Sequence, residues 1–160
     1  MIRRRPEPAP RRQRGFTLIE VMIAILVLGI GLLGFALLQT MNVRFTKSAQ
    51  QRTVATSLAY EVIDMMRMQR SDSGLGAYNQ ITFDSFDAVV PGSCDRPTAA
   101  NTASNIARWK CQVRTALPDG AAAVALQADG NVRVDVRWGD AHWEEDADDV
   151  NTTFTLESRL

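Results

Sequence analysis

A single carboxylate stands at the start of the longest uncharged run in this sequence. Glu20 follows Phe16 by four positions, which places both side chains on one face of a helix, and residues 21–43 carry no charge. Ionisable groups inside a membrane cost about 2.5–3.5 kcal/mol on insertion scales and usually have a partner. A cut after Gly15 would supply one, because the new Phe16 amine is a cation within reach of Glu20 in the same or a neighbouring subunit. The alternative is a solvated carboxylate that the helix dipole favours at a helix start.

Few other residues have the potential for chemistry. Cys94 and Cys111 are the only cysteines, and His142 is the only histidine. In an oxidising compartment the two cysteines most simply form a disulfide, worth about 3 kcal/mol for a loop of this length. Their spacing fits no zinc pattern, and the sequence has no phosphate-binding glycine loop, no CxxC pair and no G-x-S-x-G motif. The sequence therefore predicts no catalytic residues, no cofactor and no metal centre.

An acidic run lies close to the end of the chain. Six of the ten residues from 140 to 149 are aspartate or glutamate. A solvated loop is the favoured interpretation. A calcium site is the alternative, although the run lacks the fixed ligand spacing of a loop such as the EF-hand.

The uncharged run is long enough to cross a membrane. Its 23 residues span roughly 34 Å as a helix, and a bilayer core is about 30 Å thick. Six arginines precede it, at positions 3, 4, 5, 11, 12 and 14. Fewer basic residues (Arg44, Lys47 and Arg52) follow it, so the charge bias predicts a cytoplasmic N-terminus and an external head. A secretory signal would place its small cleavage residue after the apolar segment, whereas Gly15 comes before it.

Charge also bears on possible partners. The first 15 residues carry six arginines and one glutamate, and the remainder carries 12 basic and 17 acidic residues. A mildly acidic remainder gives no electrostatic basis for nonspecific nucleic-acid binding, which depends on clustered lysine and arginine. We therefore predict no direct contact with nucleic acid.

The junction of basic and apolar segments resembles a known processing signature. GFTLIEV at residues 15–21 is similar to the motif of type IV pilins and of the related pseudopilins of type II secretion. The resemblance implies that a prepilin peptidase cleaves between Gly15 and Phe16 and then N-methylates Phe16. It also implies that Glu20 supports assembly of the apolar helices into a filament. The likeness covers roughly residues 11–70 well and the later part of the chain more loosely.

Further segments resemble the PilV group of minor pilins. They are VMIAILVLGIGLLG at residues 21–34, Leu38-Gln39, Trp109, Leu117-Pro118 and VRVDVRW at residues 132–138. This likeness implies a structural subunit in a complex that primes pilus assembly and caps the tip, in a group tied to motility, adhesion and DNA uptake. The implied partners are the peptidase, other minor pilins, the major pilin, the inner-membrane assembly platform and, before assembly, membrane lipid. The alternatives are a minor pseudopilin of type II secretion and a binding module at the pilus tip.

The predicted architecture begins with one long helix. We expect a cleaved leader over residues 1–15, an apolar transmembrane and assembly helix over 16–43, and its amphipathic continuation over 44–73. Apolar residues recur at helical spacing in that continuation, with charged residues between them. Gly29, Gly31 and Gly34 would soften the apolar part during filament packing, or they are simply tolerated, as glycines commonly are in transmembrane helices.

Residues 74–160 are predicted to form a periplasmic α+β head. Turn-forming residues from 71 to 76 end the long helix, and residues 77–101 are irregular. A second helix is expected from about Thr102 to Ala116, ended by Pro118-Asp119-Gly120. Alternating residues predict strands at 124–128, 132–138 and 154–160, with a hairpin at Asp129-Gly130. The fold class is therefore a long N-terminal helix packed on an antiparallel sheet of three or four strands, as in pilins.

Overall fold

The computed structural model describes residues 15–92, 94, 99, 101–140 and 151–160. The chain divides into two compact units, Met1–Arg44 and Phe45–Leu160. Helix α1 (Leu18–Met68) contributes to both units and begins three residues before the uncharged run. The described residues of the first unit are all exposed, and their part of α1 is long and apolar enough to cross a membrane.

The second half of α1 supplies the helical side of the core. Its buried apolar residues are Ala55, Leu58, Ala59, Val62, Ile63, Met65 and Met66. They recur every three or four positions and therefore form one continuous face of the helix. The indole of Trp109, which is fully buried, donates its Nε1 proton to the Leu58 carbonyl at 2.9 Å. The predicted amphipathic stripe thus packs as one side of the core of the second unit.

Three short elements follow α1. Helix α2 (Asp72–Tyr78) begins at Ser71, whose hydroxyl accepts a hydrogen bond from the Gly74 amide, and a 3₁₀ turn covers Phe83–Phe86. Helix α3 spans Thr102–Ala116, with Asn101 as its N-cap. The turn-forming residues 71–76 are predicted to end the long helix; α1 ends already at Met68, and Ser71 caps a new helix within that segment. The segment from 77 onward, expected to be irregular, likewise contains the 3₁₀ turn.

The sheet has three antiparallel strands in the order β1 (Ala121–Leu126), β2 (Asn131–Gly139) and β3 (Asn151–Arg159). The central positions are aligned so that Val134 lies opposite Val124 on one side and Leu156 on the other. The inward side chains of β2 (Val132, Val134, Val136 and Trp138) are fully buried. The β1–β2 turn contains Gly130 with φ +82°, a conformation that favours glycine. The α+β fold class predicted from the sequence is confirmed.

The two outer strands of the sheet differ in how their edges are covered. The outward amide of Val124 in β1 donates to the Ile81 carbonyl at 2.9 Å, and that of Leu126 donates to Asn79 Oδ1 at 2.8 Å. The segment after α2 therefore closes this edge. Strand β3 forms the other edge, and the residues at its odd-numbered positions are exposed.

Candidate processing and assembly site

The predicted scissile bond lies just outside helix α1. Gly15, Phe16 and Thr17 are not helical and are exposed, with 83% of the Phe16 surface accessible. Helix α1 begins at Leu18 because Thr17 acts as its N-cap, with Oγ1 accepting from the Glu20 amide at 3.3 Å. The Thr17 carbonyl also accepts from the amides of Glu20 and Val21 at 3.1 and 3.3 Å. The Gly15–Phe16 bond is thus presented in non-helical, accessible backbone.

Glu20 and Phe16 lie on the same side of the chain at the start of α1. Together with apolar residues of the next two turns they line an open groove, made up of Phe16, Glu20, Val21, Ala24, Ile25 and Leu28. Glu20 is exposed and lies in the first turn of α1, where the helix dipole stabilises a negative charge. A cation released at Phe16 would therefore emerge beside this carboxylate, in surroundings that are otherwise apolar.

The apolar segment continues as regular helix through its three glycines. An added Cβ at Gly29, Gly31 or Gly34 would meet no atom within 4 Å. Contacts within the described chain therefore do not require glycine at these positions. Softening of this segment during assembly stays a prediction.

The structure joins Cys94 to Cys111 in a disulfide with Cα atoms 5.8 Å apart. Cys111 lies in α3 and is buried, whereas Cys94 belongs to the connection before that helix and is exposed. The bond therefore anchors the connection to the core through α3. It lies in the second unit and stabilises that unit.

Two polar contacts that the sequence did not reveal hold the short elements in place. The Tyr78 hydroxyl donates to Gln69 Oε1 at 2.8 Å, and burial raises the pKa of Tyr78 above its ordinary value. The Lys110 ammonium donates to the Ser85 carbonyl at 3.2 Å and lies 5.5 Å from the centre of the Phe86 ring. Burial lowers the pKa of Lys110. Both contacts join neighbouring elements of the second unit.

Part of the acidic run can be described. Asp140 accepts a hydrogen bond from the Ser48 hydroxyl at 2.6 Å, while His142 and the rest of the run lie outside the described residues. The described parts of the chain hold no group of three or more histidine, cysteine or acidic side chains suited to a metal ion. The solvated-loop and calcium interpretations both stay predictions.

Comparison with known families decides the character of the N-terminal segment. Residues 10–36 match the model of the prokaryotic N-terminal methylation motif. The chain carries a prepilin-type methylation motif. The match covers less than a fifth of the chain, contains the Gly15–Phe16 bond and Glu20, and supports a pilin-like protein. No curated protein and no solved structure matches the chain significantly.

The motif has consequences for processing and location. It implies cleavage by a prepilin peptidase and assembly with other pilins, and proteins that carry it are generally structural rather than enzymatic. Together with the apolar part of α1 it indicates anchoring in a membrane. The arrangement of the described residues agrees with peptidase cleavage at this position, because the Gly15–Phe16 bond is exposed and the first turn of α1, which contains Glu20, begins two residues after Phe16.

Proposed function

We propose that this chain is a minor pilin, a structural subunit of a type IV pilus. A prepilin peptidase would cut between Gly15 and Phe16 and methylate the Phe16 amine. The observation that carries the proposal is the position of this bond, which lies in exposed, non-helical backbone three residues before α1, within the matched motif. The resemblance to the PilV group supports a place in the complex that primes assembly and caps the pilus tip.

The chemistry of processing follows from the residues at the junction. Hydrolysis adds water across the Gly15–Phe16 amide, releases the arginine-rich leader with its new carboxylate, and leaves an ammonium on Phe16. Methylation of that nitrogen preserves its basicity. In a filament the ammonium would pair with Glu20 of a neighbouring subunit, an interaction strengthened by the apolar residues around both groups.

The remainder of the chain fits this role. We propose that residues 16–43 anchor the precursor in the inner membrane, with the leader cytoplasmic and residues 74–160 forming a periplasmic head. Residues 44–73 would connect the anchor to the head as a continuous helix. The buried face of α1 and the disulfide support a head that stays folded when the subunit leaves the membrane for the cell surface.

The same motif suits a minor pseudopilin of type II secretion. The two classes share their N-terminal chemistry, so residues 15–21 favour neither. The gene neighbourhood separates them, because pilus and secretion components are encoded in different clusters.

The proposal is tested by peptide and intact-mass spectrometry on the protein from membranes and from sheared surface fractions. We expect a mature chain that begins at N-methylated Phe16, present in both fractions. A chain that retains residues 1–15 in both fractions would make α1 an ordinary single-pass anchor and would overturn the assignment. Recovery of the mature form from membranes alone, in cells that make pili, would favour the secretion alternative.

A further inference from the structure

A groove lies in the second unit between α1 and the end of α3. Its lining residues are Lys47, Gln50, Gln51, Val54, Ala116 and Pro118. The end of β2 lies beside it, because the Gly139 amide donates to the Pro118 carbonyl at 2.9 Å and the Ser48 hydroxyl donates to Asp140. The groove and the end of β2 therefore form one corner of the head.

This corner contains buried polar atoms without partners. Three such side-chain atoms occur in the described residues: Gln51, which lines the groove, contributes Oε1, and the two neighbours of Gly139 in the chain contribute Trp138 Nε1 and Asp140 Oδ1. Only 7% of Gln51 is exposed, although it lines the groove, and Trp138 is fully buried. Most buried polar groups in native proteins have a hydrogen-bond partner. A cluster of three at one corner points to a bound group that completes them.

The types of atom define that group. The amide oxygen of Gln51 and the carboxylate oxygen of Asp140 both accept hydrogen bonds, so they require an N–H or O–H donor. A primary ammonium has three such donors and complements the negative charge of Asp140. The exposed ammonium of Lys47 at the groove attracts an anion, and the Trp138 N–H can donate to an oxygen. The complementary ligand therefore carries an anionic oxygen group and a primary ammonium close together.

The place of the groove in the chain indicates where such a ligand is found. Lys47 follows Val43, the last residue of the uncharged run, by four positions. Residues that flank a membrane span lie at the level of the lipid headgroups. We propose that this corner binds an aminophospholipid headgroup, with its phosphate on Lys47 and its primary ammonium on Gln51 and Asp140. The inference rests on the membrane insertion included in the proposed function, and binding requires the side chains of Gln51 and Asp140 to turn toward the groove, because both acceptor oxygens are buried.

The test compares lipids that differ only in their headgroups. The full-length chain is purified in micelles containing equal amounts of phosphatidylethanolamine, phosphatidylcholine and phosphatidylglycerol, and native mass spectrometry counts the lipids retained. Phosphatidylcholine keeps the phosphate and the positive charge but has no N–H. We expect phosphatidylethanolamine to be retained about tenfold more than phosphatidylcholine, the effect of one hydrogen bond to a charged group. Equal retention of these two lipids, or preferred retention of phosphatidylglycerol, would overturn the proposal.

Variants assign the preference to named atoms. Gln51→Leu should abolish the preference for phosphatidylethanolamine, whereas Gln112→Leu, on the exposed side of α3, should leave it unchanged. Lys47→Gln should lower retention of phosphatidylethanolamine and phosphatidylcholine alike. Thermal unfolding checks that each variant is folded. If Gln51→Leu does not fold, Asp140→Asn replaces it, and we expect Asp140→Asn to lose the preference for phosphatidylethanolamine as well.

An unchanged preference in folded Gln51→Leu would refute the assignment. Processing at Phe16, measured on a separate sample by peptide mass, does not depend on this corner. A chain that shows no lipid preference but is processed would overturn the lipid proposal and leave the proposed function unaffected. An unprocessed chain that still selects phosphatidylethanolamine would overturn the proposed function and support the lipid site.

Discussion

Glu20 lies in the first turn of α1, four residues after Phe16. Thr17 caps helix α1, so Glu20 is the third helical residue, and the order T-x-x-E is that of a capping box. In the proposed mature chain the Phe16 ammonium would be the partner of the Glu20 carboxylate, because it would carry a full charge. The same turn would then serve both the precursor and the mature chain.

Removal of the carboxylate should separate processing from assembly. We expect Glu20→Ala and Glu20→Val to leave membrane insertion and cleavage intact and to reduce incorporation into surface fibres severely, because the Phe16 ammonium then lacks its partner. Quantitative immunoblots of sheared fractions, with the variant as the only copy, measure incorporation. Glu157→Gln, which changes an exposed glutamate of β3, is the control. Normal incorporation of the Glu20 variants would rule out the assembly role.

The cap itself can be tested with two substitutions at Thr17. Thr17→Val removes the hydroxyl that accepts from the Glu20 amide, and loss of such a cap costs about 1 kcal/mol. We expect faster hydrogen exchange at the amides of Glu20 and Val21 in Thr17→Val, and near-normal exchange in Thr17→Ser. Thr40→Val, which alters a hydroxyl bonded to the Ala36 carbonyl within the helix, should not affect these amides. Equal exchange in all the variants would show that the hydroxyl does not cap α1.

Some of the residues of the candidate site could be identified from the sequence alone, and others could not. Glu20 could be found from sequence because a charge at the edge of an uncharged run is conspicuous. The cap at Thr17 was missed, although T-x-x-E is visible in the sequence, because the helix was assumed to begin at Phe16. The polar corner at Gln51 and Asp140 had no sequence signal, since it brings together residues that are far apart in the chain.

Among the secondary-structure elements, α3 depends on a covalent bond as well as on packing. The Cys94–Cys111 disulfide closes a loop of 17 residues, for which the chain-entropy model gives about 3 kcal/mol. We expect the double variant Cys94→Ser/Cys111→Ser to unfold at a lower temperature than the wild type. A reducing agent should lower the wild-type midpoint to a similar extent and leave the double variant unchanged. A reductant effect of the same size in the double variant would contradict this account.

The end of α1 and helix α2 are linked by a bond that depends on pH. The protonated Tyr78 hydroxyl donates to Gln69, and its pKa in the folded chain is raised by burial. Its stabilisation is therefore complete below the unfolded-state pKa of 10.0 and is lost as pH rises through the higher folded-state pKa. Tyr78→Phe should be less stable at neutral pH by about 1 kcal/mol and should lack this alkaline loss.

Chemical denaturation at pH 7 and above pH 10 measures the difference. Tyr60→Phe, at a half-exposed position on α1, should follow the wild type at both values. A Tyr78→Phe variant that loses as much stability at high pH as the wild type would show that this hydroxyl does not cause the loss.

The predicted elements were most accurate where stop signals and periodicity agreed. Helix α3 has the predicted ends because Asn101 caps one end and Pro118-Asp119-Gly120 follows the other. Strand β1 begins earlier than expected, since its first three residues are alanines and give no alternation. Helix α2 was missed because glycines in Ser71–Gly76 suggested a turn, whereas burial of Tyr78 stabilises a helix there.

For the whole molecule, the division into units agrees with the change in composition along the chain. The first unit ends at Arg44, directly after the uncharged run, and the second contains the packed core. The bounds of leader, anchor, connector and head stay predictions. Which partner subunits contact the head could not be predicted, because that depends on surfaces of other chains.

Release of the leader should control the fate of the whole chain. A bulky residue at Gly15, as in Gly15→Leu, should block cleavage and retain six arginines on the cytoplasmic side, where transfer through the membrane is costly. We expect an intact precursor in membranes and none in sheared fractions. Gly76→Ala, at an exposed glycine with open space around it, is the control. Mature Phe16 termini in Gly15→Leu would show that cleavage occurs elsewhere or tolerates bulk.

The unequal edges of the sheet set a limit on how heads can aggregate. Strand β1 is closed by Asn79 and Ile81, so among the described residues β3 is the strand that can pair with another, apart from its last carbonyl, on Arg159, which accepts from Arg67. Two heads that met through β3 would leave no open strand at either end, and a third could not join. Runaway cross-β growth, the usual hazard of an uncovered edge at high local concentration, would thus end at a pair.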